Sequence, residues 1–394
     1  MDPRLLPTLT LWLTVFAASS SAGAAAAQAG VTCFGEAPTI TGTAGSDVLT
    51  GTSGDDVIHG MGGDDSIQGL GGDDRICGGD ESPEDDGFNG DTIEAGAGHD
   101  RVDGGYGHDD LSGGDGDDTI CDPDGNDKLD GGAGTAKLSG GTDNDPLLGG
   151  PGDDLIRGGV RGGDGDYDYA SYVDSPEGVI VDLAAGTATG DGDDRLGDVE
   201  NAGGSEFGDY LGGSKDENTL LGGDGDDTIR GRGGNDTIAP DGGDDTVNGG
   251  DGDDQLFYVD APAAVTVDLA AGTATGWGDD SLDRMNSIRG SQWDDHLYGA
   301  GGANDINSGS GNDLIAGRGG DDVAYGDKGD DVLRGGSGDD ELSDDDGTDR
   351  FFGGAGDDVL RDYWGITHGN DEMDGGGGRD RCVNGETVRS CEDT

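Results

Sequence analysis

The chain has 394 residues, among them 88 glycines and 87 Asp plus Glu against 21 Lys plus Arg, for a formal net charge of −66 with only 30% hydrophobic residues. That charge argues against nucleic acid and anionic membrane surfaces as partners. It also argues against an ordinary globular core, because too little apolar surface is present to offset the conformational entropy of folding.

The first element, residues 1–29, reads as an export signal. Arg4 gives a weakly positive start, an apolar stretch runs from about Leu9 to Ala18, and Ala27-Gln28-Ala29 forms a small-residue cleavage site. An uncleaved anchor is the competing reading, and Pro7 and the Ser/Ala-rich end count against it. Thr32 before Cys33 does not suit a lipoprotein signal. No later segment is apolar enough to span a bilayer, so no membrane insertion is expected after signal removal.

Export permits disulfides. The cysteines are Cys33, Cys77, Cys121, Cys382 and Cys391. A bridge between Cys382 and Cys391 is the first expectation and Cys33 with Cys77 the second, which leaves Cys121 over. Zinc is disfavoured, since no C-x-x-C pair is present and no His lies near the cysteines.

From Gly42 the chain reads in nines: GTAGSDVLT, GTSGDDVIH, GMGGDDSIQ, GLGGDDRIC. Gly stands in slots one and four, Asp in slot six, and an aliphatic residue in slot eight. An insertion near 78–90 interrupts the frame within a first block, 30–157. The frame returns over 204–257 and again over 290–380. Between the blocks lie two longer modules, 158–203 and 258–289. Residues 179–213 align with 265–299 at an offset of 86, and VDLAAGTATG occurs in both. The alternation in VIVDL and VTVDL predicts a strand with one buried face, and AAGTATG a turn and a second short strand. Tyr172-Val173-Asp174 recurs as Tyr258-Val259-Asp260. A Cys-bracketed cap, 381–394, closes the chain.

Each slot has a physical task. Glycines reach positive φ at little cost and allow a tight turn every nine residues. Turn carbonyls and the slot-six carboxylate then share one space, and a hard cation with six to eight oxygen ligands suits it: calcium better than magnesium, with softer metals disfavoured. The last three slots predict a short strand with one apolar side chain facing in. Stacked turns give an all-β solenoid of two narrow parallel sheets around a thin aliphatic core.

The frame resembles the G-G-x-G-x-D-x-U-x repeat of the RTX, or haemolysin-type calcium-binding, family, over roughly two thirds of the mature chain. The resemblance implies a parallel β-roll with calcium held between turns on both edges. It implies slot-six carboxylate ligands at Asp47, Asp56, Asp65 and Asp74, then at Asp100, Asp109, Asp118, Asp127, Asp145 and Asp154. Asp227, Asp236, Asp245 and Asp254 continue the set, followed by Asp313, Asp322, Asp331, Asp340, Asp349 and Asp358. Ala136, Asn218 and Asn304 occupy slot six elsewhere and predict weak or empty sites. Pro146 in slot seven removes a strand hydrogen bond, and Ala324 in slot eight thins the core. About twenty loops with one divalent ion each would cancel about forty of the negative charges. Slot-five acids such as Asp55 and Asp64 read as a solvated edge that raises local cation concentration.

Similar inserts occur among RTX-type proteins. The two modules read as spacers that continue the solenoid without calcium, in preference to a sugar-binding face carrying Trp277 and Trp293. The sequence contains no H-E-x-x-H and no G-x-S-x-G elbow. His59, His99, His108, His296 and His368 are scattered and read as surface residues. A glycosidase dyad is unrecognisable against so many acids. Unlike family members with a C-terminal secretion signal, this chain carries an N-terminal one and a Cys-bracketed C-terminal segment, RCVNGETVRSC, which favours a Sec-like route. The expected function is therefore a secreted, non-enzymatic calcium-binding β-roll. A calcium-dependent surface coat or adhesive scaffold is the alternative, and an enzyme hidden in 162–213 or 258–299 ranks last. A cell-surface or polysaccharide partner is left open.

Overall fold

The computed structural model describes residues 31–80, 90–159, 167–363, 371–385 and 387–392. The export signal at 1–29, most of the insertion near 78–90 and His368 lie outside the described residues. Among the described residues there is no helix, and none long and apolar enough to cross a membrane.

Each nonapeptide contributes one short strand from its last three slots, for example Thr119–Cys121, Lys128–Asp130 and Pro146–Leu148. Successive strands go to opposite sheets, so each pairs in parallel with the strand two repeats away. Leu111, Leu129 and Leu147 are in register on one sheet, and Ile120, Leu138 and Ile156 on the other. Slot eight points inward because side chains alternate along a strand. The two sheets thus face each other across two columns of aliphatic side chains, nearly all fully buried. The protein is an all-β parallel solenoid, a β-roll.

Both ladders run the length of the described chain. One extends from Ile40–Thr41 to Thr387–Arg389 and the other from Val48–Thr50 to Arg381–Val383. They continue through both inserts. In the first insert, Ile180–Asp182 and Thr187–Thr189 form an antiparallel hairpin. It is seated in one sheet between Asp193–Gly197 and Tyr210–Gly212. Thr266–Asp268 and Thr273–Thr275 repeat this between Asp279–Asp283 and His296–Tyr298. The strand–turn–strand expected of VDLAAGTATG is therefore present twice. Each hairpin is clamped by an arginine from a later turn. Arg232 grips Asp182 through both nitrogens at 2.8 and 2.7 Å, and Arg318 grips Asp268 at 2.6 Å on both. Both arginines stand in slot two with φ of 79°, a conformation that favours glycine.

The departures from the repeat are absorbed locally. Pro146 still sits in a strand, with Leu147 in register with Leu129. Ala324 is buried between Ile306 and Leu342, so the core narrows there without opening. Disulfides join Cys33 to Cys77 and Cys382 to Cys391, with Cα separations of 5.7 and 6.0 Å. Cys121 is free and exposed.

Candidate metal centre

The slot-six carboxylates form a column along each edge of the roll. The N–H of one slot-six residue donates to Oδ1 of the slot-six aspartate on the next turn of the same edge. On one edge Asp47 donates to Asp65, Asp91 to Asp109, Asp109 to Asp127 and Asp127 to Asp145, at 2.5–2.9 Å. On the other, Asp56 donates to Asp74, Asp74 to Asp100 and Asp100 to Asp118, at 2.7–2.8 Å. The later turns repeat this for Asp227, Asp236, Asp245, Asp254, Asp313, Asp322, Asp331, Asp340, Asp349 and Asp358.

One oxygen of each carboxylate is thereby satisfied, and the other is not. Oδ2 is buried without a donor at Asp65, Asp74, Asp100, Asp109, Asp118, Asp127 and Asp154. The same holds at Asp227, Asp236, Asp245, Asp254, Asp313, Asp322, Asp331, Asp340 and Asp358. A buried anionic oxygen without a partner is costly. The space it faces explains the first glycine. A Cβ placed on Gly113 would lie 2.5 Å from Asp118 Oδ2 and 2.7 Å from the Gly131 carbonyl oxygen of the next turn. Slot one is thus glycine for room, not for a left-handed turn. Slot four needs the unusual backbone: Gly116 has φ of 146°, and a Cβ there would collide with the Gly98 carbonyl. The two atoms nearest the hollow beside Gly113 are oxygen acceptors, a donor set that fits a hard cation.

Burial pushes these carboxyls up, with neighbouring slot-six acids adding to the rise. Asp236 and Asp245 reach about 7 and Asp227 about 8.

Slot-five residues do more than face water. Their side chains form an outer ladder running the opposite way, each accepting the slot-five N–H of the following turn. Asp73 N–H donates to Asp55, His99 N–H to Asp73, and Asp117 N–H to Nδ1 of His99, at 2.9–3.0 Å. His108 accepts from Asn126 in the same way. These histidines are parts of the ladder.

The frame extends further than the glycines reveal. Asp91, Asp168, Asp194, Asp209, Asp280, Asp295 and Asp371 are buried at slot six of turns whose preceding slots are altered, and Asp380 at slot six of the intact turn from Gly375. Each lies two residues before an inward apolar residue, so an Asp-x-apolar count would have found them. Some slot-six groups carry their own donor. Tyr172 Oη donates to Asp194 Oδ2 at 2.9 Å, and Tyr258 Oη to Asp280 Oδ2 at 2.5 Å. Ser205 and Ser291 donate to Asp209 and Asp295, and Thr43 and Thr52 to Asp47 and Asp56. Asn218 and Asn304 donate their amides to the carbonyls of Glu200 and Asn286. Both inserts are therefore flanked by turns with internal donors. Of the two tryptophans, Trp277 packs on the core, and Trp293 is part-exposed with Nε1 donating to the Ala261 carbonyl at 3.1 Å.

Buried aspartates stand in slot one at Asp122, Asp344 and Asp362. Asp122 lies against Asp109 and Asp127, and Asp344 against Asp331 and Asp349. Burial first, then the neighbouring carboxylates, push Asp344 up to about 10 and Asp122 to about 12.

The RTX calcium-binding nonapeptide repeat matches over residues 39–63, 50–82, 86–120, 137–166, 203–238, 212–247, 241–258, 283–315, 309–342, 325–360, 343–365 and 368–385. The chain belongs to this RTX repeat family. The columns described above are the RTX repeat in three dimensions, and calcium is the cation that the family binds. No curated protein matches the chain.

Proposed function

We propose that this RTX protein is exported and uses calcium to complete the folding of its roll, acting by binding and not by catalysis. The observation that carries this reading is the column of buried Oδ2 atoms facing acceptor-lined hollows. A divalent ion in each hollow joins two successive turns and offsets the repulsion between stacked aspartates. Metal binding and folding are then one event. The acids that supply the carboxylates are the slot-six residues named above. Asp47 and Asp56 contribute least, because Thr43 and Thr52 already bond their Oδ2 atoms. An open groove beside the first hairpin is lined by Asp153, Asp154, Asp193 and Asp194. All four belong to the slot-five and slot-six ladders, which supports a binding role over an acid pair reserved for catalysis.

The test is circular dichroism of the mature chain in chelator and in millimolar calcium. A strand signal that rises with calcium and collapses on chelation is expected. The same signal in both solutions would sink the reading.

A further inference from the structure

Glycine stands in slot one of the repeat and brings no side chain. Asp122 and Asp344 break that rule in the same geometric way. Asp122 belongs to the turn that also carries Asp127, and it sits above the turn that carries Asp109. One carboxylate oxygen from each of the three lies within 4.8 Å of the others, and all three residues are buried. Asp331, Asp344 and Asp349 reproduce this arrangement on the opposite edge of the roll. The turn below has to keep its glycine: a Cβ on Gly104 would collide with Oδ2 of both Asp122 and Asp109, and one on Gly326 with Oδ2 of Asp344 and Asp331.

The hydrogen bonding shows where these oxygens point. Asp109 and Asp127 each accept one backbone N–H through Oδ1, at 2.5 and 2.9 Å. Their Oδ2 atoms have no donor, and neither does either oxygen of Asp122. Asp122 is 2% exposed, so water does not serve it. In the second triad Asp344 Oδ1 accepts the Asp345 N–H at 2.7 Å, while Oδ2 of Asp331 and of Asp344 are buried without donors. Carboxyl oxygens this close and this dry are stabilised either by shared protons or by a positive centre among them, and a bound cation takes the place of the protons.

The geometry points to two sites of a second class, Asp109–Asp122–Asp127 and Asp331–Asp344–Asp349, each binding a calcium ion through three carboxylates. An ordinary turn provides slot-six carboxylates and carbonyls alone. An added carboxylate in a rigid, oxygen-only site strengthens calcium binding, since affinity follows ligand charge and site rigidity. These two sites therefore fill first as calcium rises. They lie in the first and last repeat blocks, so they order one turn in each of those blocks before the rest of the roll is loaded. Magnesium, which dehydrates reluctantly and needs near-ideal octahedral geometry, competes poorly.

This inference rests on calcium binding by the slot-six columns, and the test separates the two. Asp122→Gly and Asp344→Gly restore the repeat's own slot-one residue, so the turns and the ordinary hollows remain. Calcium would be titrated into the mature chain against a chromophoric chelator, with circular dichroism followed in parallel. The wild type should hold two ions at least about tenfold more tightly than the remainder. Each single variant should lose one of them and the double variant both, while calcium still raises the strand signal. Excess magnesium should leave the tight pair in place. An unchanged tight class in the double variant, or tighter binding once Asp122 is removed, would overturn the assignment. Absence of any calcium effect in the wild type would instead overturn the underlying reading.

Discussion

Ala136 stands at slot six of a plain nonapeptide turn with neither a carboxylate nor an amide to offer. Asp100 N–H donates to Asp118 Oδ1 at 2.8 Å and Ala136 N–H to Asp154 Oδ1 at 2.7 Å, but Ala136 offers nothing to Asp118. A Cβ on Gly131 would lie 2.6 Å from both Ala136 Cβ and the Gly149 carbonyl, so the hollow is present with a methyl on one side. Ala136→Asp should rebuild the rung. Its Oδ1 gains the Asp118 N–H, worth about 1.5–3 kcal/mol for a charged acceptor. Its Oδ2 enters a dry hollow, which without calcium costs about as much or more. With calcium one further ion binds, and stability then climbs by an extra ~1.4 kcal/mol for each tenfold rise in free calcium. The variant should be less stable than wild type at low calcium and more stable at high calcium, so the two curves cross. Ala136→Asn supplies the acceptor without the charge, as Asn286 does for Asp254 at 3.1 Å, and its curve should run parallel to wild type. Thermal unfolding across a calcium series, with bound calcium counted by equilibrium dialysis, reads both effects. Parallel curves and an unchanged ion count for Ala136→Asp would refute the reasoning.

Tyr258→Phe removes the hydroxyl that satisfies Asp280 Oδ2 while keeping the ring. It should cost about 1–3 kcal/mol at low calcium and add one bound ion at high calcium; an equal loss at both levels would show that the hydroxyl does not stand in for a cation. Acid should replace part of the calcium. Asp236, Asp245 and Asp322 are raised from 3.8 to about 7 and Asp227 to about 8, chiefly by burial. An acid raised on folding stabilises the fold fully below its unfolded value and loses that contribution as pH climbs through its folded value. In chelator the strand signal should therefore be stronger at pH 5 than at pH 8, and equal signals would count against buried carboxylates as the source of the calcium requirement.

Much of this was legible because the repeat ties chemistry to position. Once slot eight is known to face inward, slot six is forced to the turn, and the twenty aspartates assigned from the frame fall on the two edge columns. The hairpins were legible from VDLAAGTATG, because alternation over a few residues fixes a strand face. What escaped was long-range substitution of one donor for another. Tyr172 and Asp194 lie 22 residues apart, and nothing local to either says that a phenol fills a place otherwise left to a cation. Asp91 and Asp209 escaped because altered preceding slots hid the frame. Asp122 and Asp344 escaped because one more acid in so acidic a chain carries no signal until the turns are stacked. From sequence the slot-five acids read as a solvated edge, yet Asp55, Asp73 and their successors also accept backbone N–H groups, which only the stacking of turns exposes.

Because successive strands alternate between sheets, the stacking step is 18 residues, not nine. The chain therefore obeys a parity rule. Losing or gaining two repeats returns every downstream residue to its own edge. Losing or gaining one moves all of them to the other. The slot-six columns tolerate such a swap, since both edges are built alike. The Tyr172–Asp194 bond and the Arg232–Asp182 clamp, which spans 50 residues, do not, because their ends must keep a fixed edge. Recombination among the plain repeats can lengthen or shorten the roll one unit at a time, whereas the spans from Tyr172 to Arg232 and from Tyr258 to Arg318 keep a fixed length, since even a gained or lost pair would carry the bonded ends one stacked turn apart.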